Sequence, residues 1–150
     1  MMEKNERLMS LMKETYLTSS ERETEALGER MAARLAGISV AALYGELGAG
    51  KTALTRGIAR GLGCRDSVSS PTYTVVNEYR GGARRVCHFD MYRLSGADEL
   101  YDIGWEDYLA SGCLCVVEWG QIAEAAFPPD TAYIRITKTG ENTREITLEC

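Results

Sequence analysis

Apolar residues in this chain recur in two ways: every fourth position along polar stretches, and in short unbroken runs. The stretch opening at Ser20 is of the first kind. Leu27, Met31 and Leu35 fall four apart, which places them on one face of a helix. Ser20 with Glu23 forms a capping box, and Gly37 stands where a C-terminal cap is expected. Val40 to Tyr44, VAALY, is of the second kind and predicts a strand buried on both faces. It runs into GELGAGKT, after which Leu54, Ile58 and Leu62 again fall four apart, with Gly63 as the stop. Thr74 to Tyr79 and Arg85 to Asp90, joined around Gly81-Gly82, predict a hairpin. Ser95 to about Leu109 predicts helix broken near Gly104, and Cys113 to Gly120, CLCVVEWG, a second buried strand carrying a carboxylate at its end. After a short helix and Pro128-Pro129, Thr131 to Lys138 and Arg144 to Glu149 alternate around Gly140 as a second hairpin.

Strands interleaved with helices predict the α/β class: a single-domain P-loop NTPase-like fold with a mixed central sheet flanked by helices. Residues 1–14 read as an N-terminal extension and 15–150 as the domain. A length of 150 residues fits one domain. No apolar run approaches the ~20 residues of a membrane helix, and the N-terminus lacks a signal-peptide pattern. The five cysteines are odd in number with no C-x-x-C pair, so they read as reduced thiols of a cytoplasmic protein rather than a disulfide framework or zinc site. Cys113 and Cys115 read as small hydrophobes. A net charge of −5 without a basic cluster argues against direct binding to a polyanion, so any nucleic-acid role runs through a partner.

GELGAGKT fits the phosphate-loop pattern G-x-x-x-x-G-K-[ST] and lies between a predicted buried strand and an amphipathic helix. Gly45, Glu46, Leu47, Gly48, Ala49 and Gly50 would supply main-chain N–H groups to a nucleotide's phosphates at the helix N-terminus. Lys51 supplies a charge to the β and γ oxygens, and the Thr52 hydroxyl a ligand for Mg²⁺. The cation needs an acidic partner at a strand end. Asp90 and Glu118 both qualify, and Glu118 sits on the more apolar strand. Trp119 reads as packing or as a ring stacked on a base. Thr72, in Ser69-Ser70-Pro71-Thr72-Tyr73, reads as a γ-phosphate sensor or as part of a proline-stiffened turn. His88, the single histidine, reads as structural. No N-K-x-D guanine signature and no arginine-rich lid segment appear, which weakens the GTPase and small-molecule kinase readings. A nucleotide-dependent adaptor stays open as an alternative.

GELGAGKTALTRGIARGLG, SSPTYTVVNEY, HFDMYRL, ELYDIGWEDYL and VVEWG, in this order, resemble the TsaE (YjeE) family over roughly residues 15–150. The resemblance implies an ATPase of the pathway that installs threonylcarbamoyladenosine (t6A) next to the anticodon of certain tRNAs. It implies ATP and Mg²⁺ as cofactors, TsaB and TsaD as partners, and tRNA contact only through that complex. By position, Lys51 resembles the phosphate-binding lysine, Thr52 and Glu118 the magnesium ligands, and Asp90 the acidic residue needed for hydrolysis. Trp119 resembles a residue near the adenine, Thr72 a switch threonine, and Arg144 a late nucleotide contact. The resemblance also places an N-terminal strand near the base, at ETYLTSS.

Overall fold

In a computed structural model, the residues described are 13–66, 68, 76–92, 94–96 and 98–150. The elements run β1 (Lys13–Thr18), α1 (Glu21–Met31), β2 (Val40–Tyr44), α2 (Lys51–Gly61), β3 (Val76–Tyr79) and β4 (Val86–Asp90). They continue through α3 (Asp98–Asp102), α4 (Trp105–Ala110), β5 (Leu114–Glu118), a 3₁₀ segment (Gly120–Ala126), β6 (Ala132–Lys138) and β7 (Arg144–Glu149). The strands form one seven-stranded sheet in the order β1-β7-β6-β2-β5-β4-β3. β2 pairs parallel with both β5 and β6, and β5 with β4. The β3–β4 and β6–β7 hairpins and the β1–β7 pair are antiparallel, so the sheet is mixed, as the two sequence hairpins require. β1 begins at Lys13, the first of the described residues.

Burial follows the patterning. Every residue of β2 and β5 is buried, because layers cover both faces of the sheet centre. β6 alternates buried and exposed, since Tyr133, Arg135 and Thr137 point away from the layer formed by α1 and α2. On the α1–α2 side, Leu27, Met31, Leu54 and Ile58 pack with Leu43, Val116 and Ile134. On the other side, Phe89 meets Trp105 and Tyr108 edge-on, at ring-centroid distances of 5.2 and 5.1 Å, in a core that also holds Cys87, Cys113 and Cys115. All five cysteines are free thiols. Among the described residues no helix is long and apolar enough to cross a membrane.

The two helices before and after β2 touch through their backbones. A β-carbon at Gly57 would overlap the Glu25 carbonyl oxygen, and one at Gly28 would overlap that of Leu54. Gly61 likewise lies against Glu29 and Ala32. Residue numbers rise together along both helices at these contacts, so α1 and α2 run parallel with their N-termini at the same end. Arg56 reaches Glu21 and Glu25, and Arg60 reaches Glu25 and Glu29, in the same register.

Ser20 caps α1 as the sequence indicates, its Oγ accepting the Glu23 N–H at 3.0 Å. The helix nevertheless stops at Met31, short of Gly37. Beyond it the backbone tightens: the N–H groups of Arg34 and Leu35 both reach the Met31 carbonyl, at 2.8 and 3.2 Å. Leu35 stays fully buried through this turn, so the apolar stripe outlasts the helix. α2 ends as expected, with Gly63 N–H on Arg60 O and Cys64 N–H on Ala59 O, both at 2.9 Å, the paired bonds of a Schellman cap. At the opposite end of the sheet from the glycine loop, Arg84 donates to the carbonyls of Leu35, Ala36, Ile38, Gly112 and Cys113, tying the turns that lead into β2 and β5.

Candidate nucleotide site

The carboxyl ends of β2, β5 and β4 lie side by side, with Leu43 in register with Glu118 and Glu118 with Asp90. An open parallel sheet places its ligand crevice at such an edge. The chain leaves β2 at Gly45 and turns at Glu46, whose carbonyl accepts the Ala49 N–H at 3.0 Å. It then enters α2 through Gly48 (φ 80°) and Gly50 (φ 108°), backbone angles that favour glycine. The result is a cavity of about 400 Å³ walled by the loop, by Thr52, and by the two strand-end carboxylates Asp90 and Glu118.

Lys51, the first residue of α2, is 6% exposed. Its ammonium donates to the Gly45 carbonyl at 2.8 Å, lies 3.6 Å from Glu118 Oε1, and stands 4.4 Å from the centroid of the Trp119 ring. Glu118 is equally enclosed, and its other oxygen, Oε2, accepts from His88 Nε2 at 2.5 Å. Burial pushes the Glu118 carboxyl up, but the hydrogen bond and charge of His88, with the charge of Lys51, outweigh it and hold the group below its ordinary value of 4.5. The carboxylate is therefore charged at neutral pH. Asp90 lines the same cavity while accepting the Tyr92 N–H at 3.0 Å, so it also closes a turn.

Trp119 is the one non-glycine residue with positive φ (57°) among those described. The bend swings its indole over Lys51 and edge-on to Tyr92, at a ring-centroid distance of 5.2 Å. Arg144, at the start of β7, also borders the cavity. Its guanidinium braces the loop, with Nε on Ala49 O at 2.8 Å and Nη2 on Gly48 O at 3.4 Å. Thr72 lies outside the described residues.

Sequence reasoning missed several walls of the cavity: Ser20, Glu21 and Thr24 of the first α1 turn, and Asn142 of the β6–β7 turn. Thr24 is buried and shares a 2.7 Å hydrogen bond with Thr18 of β1. That contact ties β1 to α1. The capping box marked Ser20 as a helix start, but nothing local shows that this helix runs beside α2.

The donor set suits Mg²⁺. One hydroxyl, from Thr52, and carboxylates at Glu118 and Asp90 are hard oxygen ligands, and Mg²⁺ takes one or two carboxylates together with substrate phosphates and water. Two helix N-termini and one ammonium facing the same cavity suit a polyphosphate.

The family model for "Threonylcarbamoyl adenosine biosynthesis protein TsaE" matches residues 18–146. The tRNA threonylcarbamoyladenosine biosynthesis protein TsaE of Bacillus subtilis is 39% identical over 133 residues, covering 89% of this chain and 83% of that one. Its namesake from Aquifex aeolicus is 34% identical over 142 residues, covering 93% and 98%. Among solved structures, the crystal structure of Bacillus subtilis YdiB superposes with a TM-score of 0.76 at 31% identity, over 93% of this chain and 86% of that one. Family model, relatives and three-dimensional likeness span the stretch that folds around the glycine loop, and the chain belongs to the TsaE family.

Proposed function

We propose that this chain is a Mg²⁺-dependent ATPase of t6A formation, acting through a TsaB–TsaD pair and reaching tRNA only by way of that complex, with hydrolysis supporting repeated turnover. The observation that carries the reading is the meeting of Lys51, Thr52, Glu118 and Asp90 at one cavity on the glycine loop. The relatives' names supply the pathway.

In this mechanism the N–H groups at the start of α2 grip the β-phosphate, and the Lys51 ammonium turns from the Gly45 carbonyl to the β and γ oxygens. Thr52 and Glu118 would hold Mg²⁺, which neutralises charge on the phosphate oxygens when bound. Asp90, on the cavity wall, is the acidic residue that hydrolysis needs. Trp119 walls the cavity at the Lys51 end, Arg144 keeps the loop's carbonyls turned outward, and Thr72 senses the γ-phosphate. Loss of that phosphate changes the contacts of Thr72 and Glu118, which alters affinity for the partner only if the partner binds the two states differently.

Lys51→Ala should abolish multiple-turnover tRNA modification in a system reconstituted with TsaB and TsaD while its circular dichroism matches the parent protein. Retained turnover rejects the role. A pull-down on TsaB–TsaD with ATP, ADP or no nucleotide tests partner and switch together. Identical capture in all three rejects the switch, and assembly and modification unaffected by Asp90→Ala would favour an adaptor.

A further inference from the structure

The site leaves one buried titratable side chain without a role. His88 is fully enclosed, lies on β4 opposite Val116 of β5, and is the single histidine of the chain. A histidine that merely fills the core needs only satisfied nitrogens. Here Nε2 meets Glu118 Oε2 at 2.5 Å, and Nδ1 meets the Tyr79 hydroxyl at 3.3 Å. An ionised carboxylate only accepts, so Nε2 carries the proton of the first contact. Tyr79, His88 and Glu118 thus link β3, β4 and β5 side chain to side chain, and the link ends on a carboxylate of the cavity. The two oxygens of Glu118 are divided between this ring and the cavity, since Oε1 is the one facing Lys51.

We infer that His88 is a positioning residue for the Mg²⁺ carboxylate: its Nε2–H fixes Oε2 of Glu118, so that Oε1 is presented to the cation, while the Tyr79 hydroxyl sets the ring's orientation. The inference rests on the Mg-nucleotide reading above. Partners of this kind orient metal ligands elsewhere, and losing one typically costs about 10–100-fold in metal affinity or activity.

The test uses the full chain. Because there is one histidine, imidazole ¹⁵N and Nε2–H resonances report this position alone. Saturating Mg·ADP should shift them, and Mn·ADP should broaden them. Calorimetry on the same sample establishes whether Mg·ADP binds. In variants, free Mn²⁺ is counted by electron paramagnetic resonance in the presence of ADP, and metal-free ADP affinity is measured separately. His88→Phe keeps the bulk without the donor and should weaken Mn²⁺ binding about tenfold or more. His88→Gln returns a donor at similar reach and should stay within about threefold of the parent. Metal-free ADP affinity should be unchanged in both. Equal Mn²⁺ losses in Phe and Gln, an equal loss of metal-free ADP affinity, or imidazole signals unmoved in a sample that binds Mg·ADP would each overturn the inference. If the Phe variant does not fold, the parent protein's resonances decide. Absence of any Mg·ADP heat in the parent protein would instead reject the ATPase reading, and this inference with it.

Discussion

Replacing Gly57 by alanine tests whether α1 and α2 are seated backbone on backbone. In an exposed helix the exchange stabilises by about 1 kcal/mol through propensity. Here the new methyl would overlap the Glu25 carbonyl oxygen and come within 2.9 Å of its carbon and 3.0 Å of the Glu29 nitrogen. Non-bonded carbon atoms rest at about 3.5–4.0 Å, so α1 must retreat by roughly an ångström. All three atoms are main chain, and no side-chain rotation relieves the clash. Overpacking costs about 1–3 kcal/mol, and this rigid contact belongs at the upper end. About 3 against a gain of about 1 leaves a net loss near 2 kcal/mol, or roughly 4–8 °C in Tm at this chain length. Gly37→Ala is the control. A β-carbon there meets nothing within 4 Å, so it should be neutral or stabilise by up to about 1 kcal/mol. Thermal and urea unfolding of both variants gives the comparison. A Gly57→Ala protein as stable as the parent would refute the seam. Since Ser20 and Thr24 ride on α1, the same variant should also bind nucleotide more weakly.

Arg144→Lys removes the bonds to Gly48 and Ala49 carbonyls and should raise the nucleotide Kd about tenfold, the scale of one charge-assisted hydrogen bond, read by titration calorimetry; an unchanged Kd would deny the bracing role. Arg84→Met leaves the carbonyls of Leu35, Ala36, Ile38, Gly112 and Cys113 without this donor and should cost about 2–3 kcal/mol in urea unfolding, with nucleotide affinity little changed because those turns lie at the far end of the sheet. The Glu118 carboxyl has a folded pKa below its ordinary 4.5, so it favours the fold above pH 4.5 and loses that contribution as the pH falls through the folded value. The Tm difference between the parent and Glu118→Gln should accordingly shrink below about pH 4.5, and a difference constant from pH 7 to 3 would contradict the shift.

The parts read directly from sequence are those fixed by local spacing. VAALY and LCVVE are unbroken apolar runs, and a strand covered on both faces admits little else. The glycine loop dictates its own turn, and Glu118 follows because it ends the most apolar strand. What stayed hidden depends on how distant segments dock. Gly28 and Gly57 carry no sequence signal of docking, while in space they let α1 and α2 meet backbone to backbone, with Thr24 of α1 on the cavity wall. His88 reads in sequence as a structural strand residue, and only in the folded sheet, where it lies opposite Val116 on β5, does its ring reach Glu118. Asn142 reads as part of a turn until Arg144 ties that turn to the loop. The apolar stripe of α1 misled because Leu35 keeps its burial after the backbone has left the helical path.

Trp119 holds a left-handed backbone angle that a side chain of its size resists, at a cost of roughly 1–2 kcal/mol relative to a relaxed residue. The strain sits immediately after the cavity's carboxylate and carries an indole over its ammonium. Glycine at this junction would release that strain but would also remove the ring's contacts with Lys51 and Tyr92. Backbone preference and side-chain packing therefore pull in opposite directions at this one position.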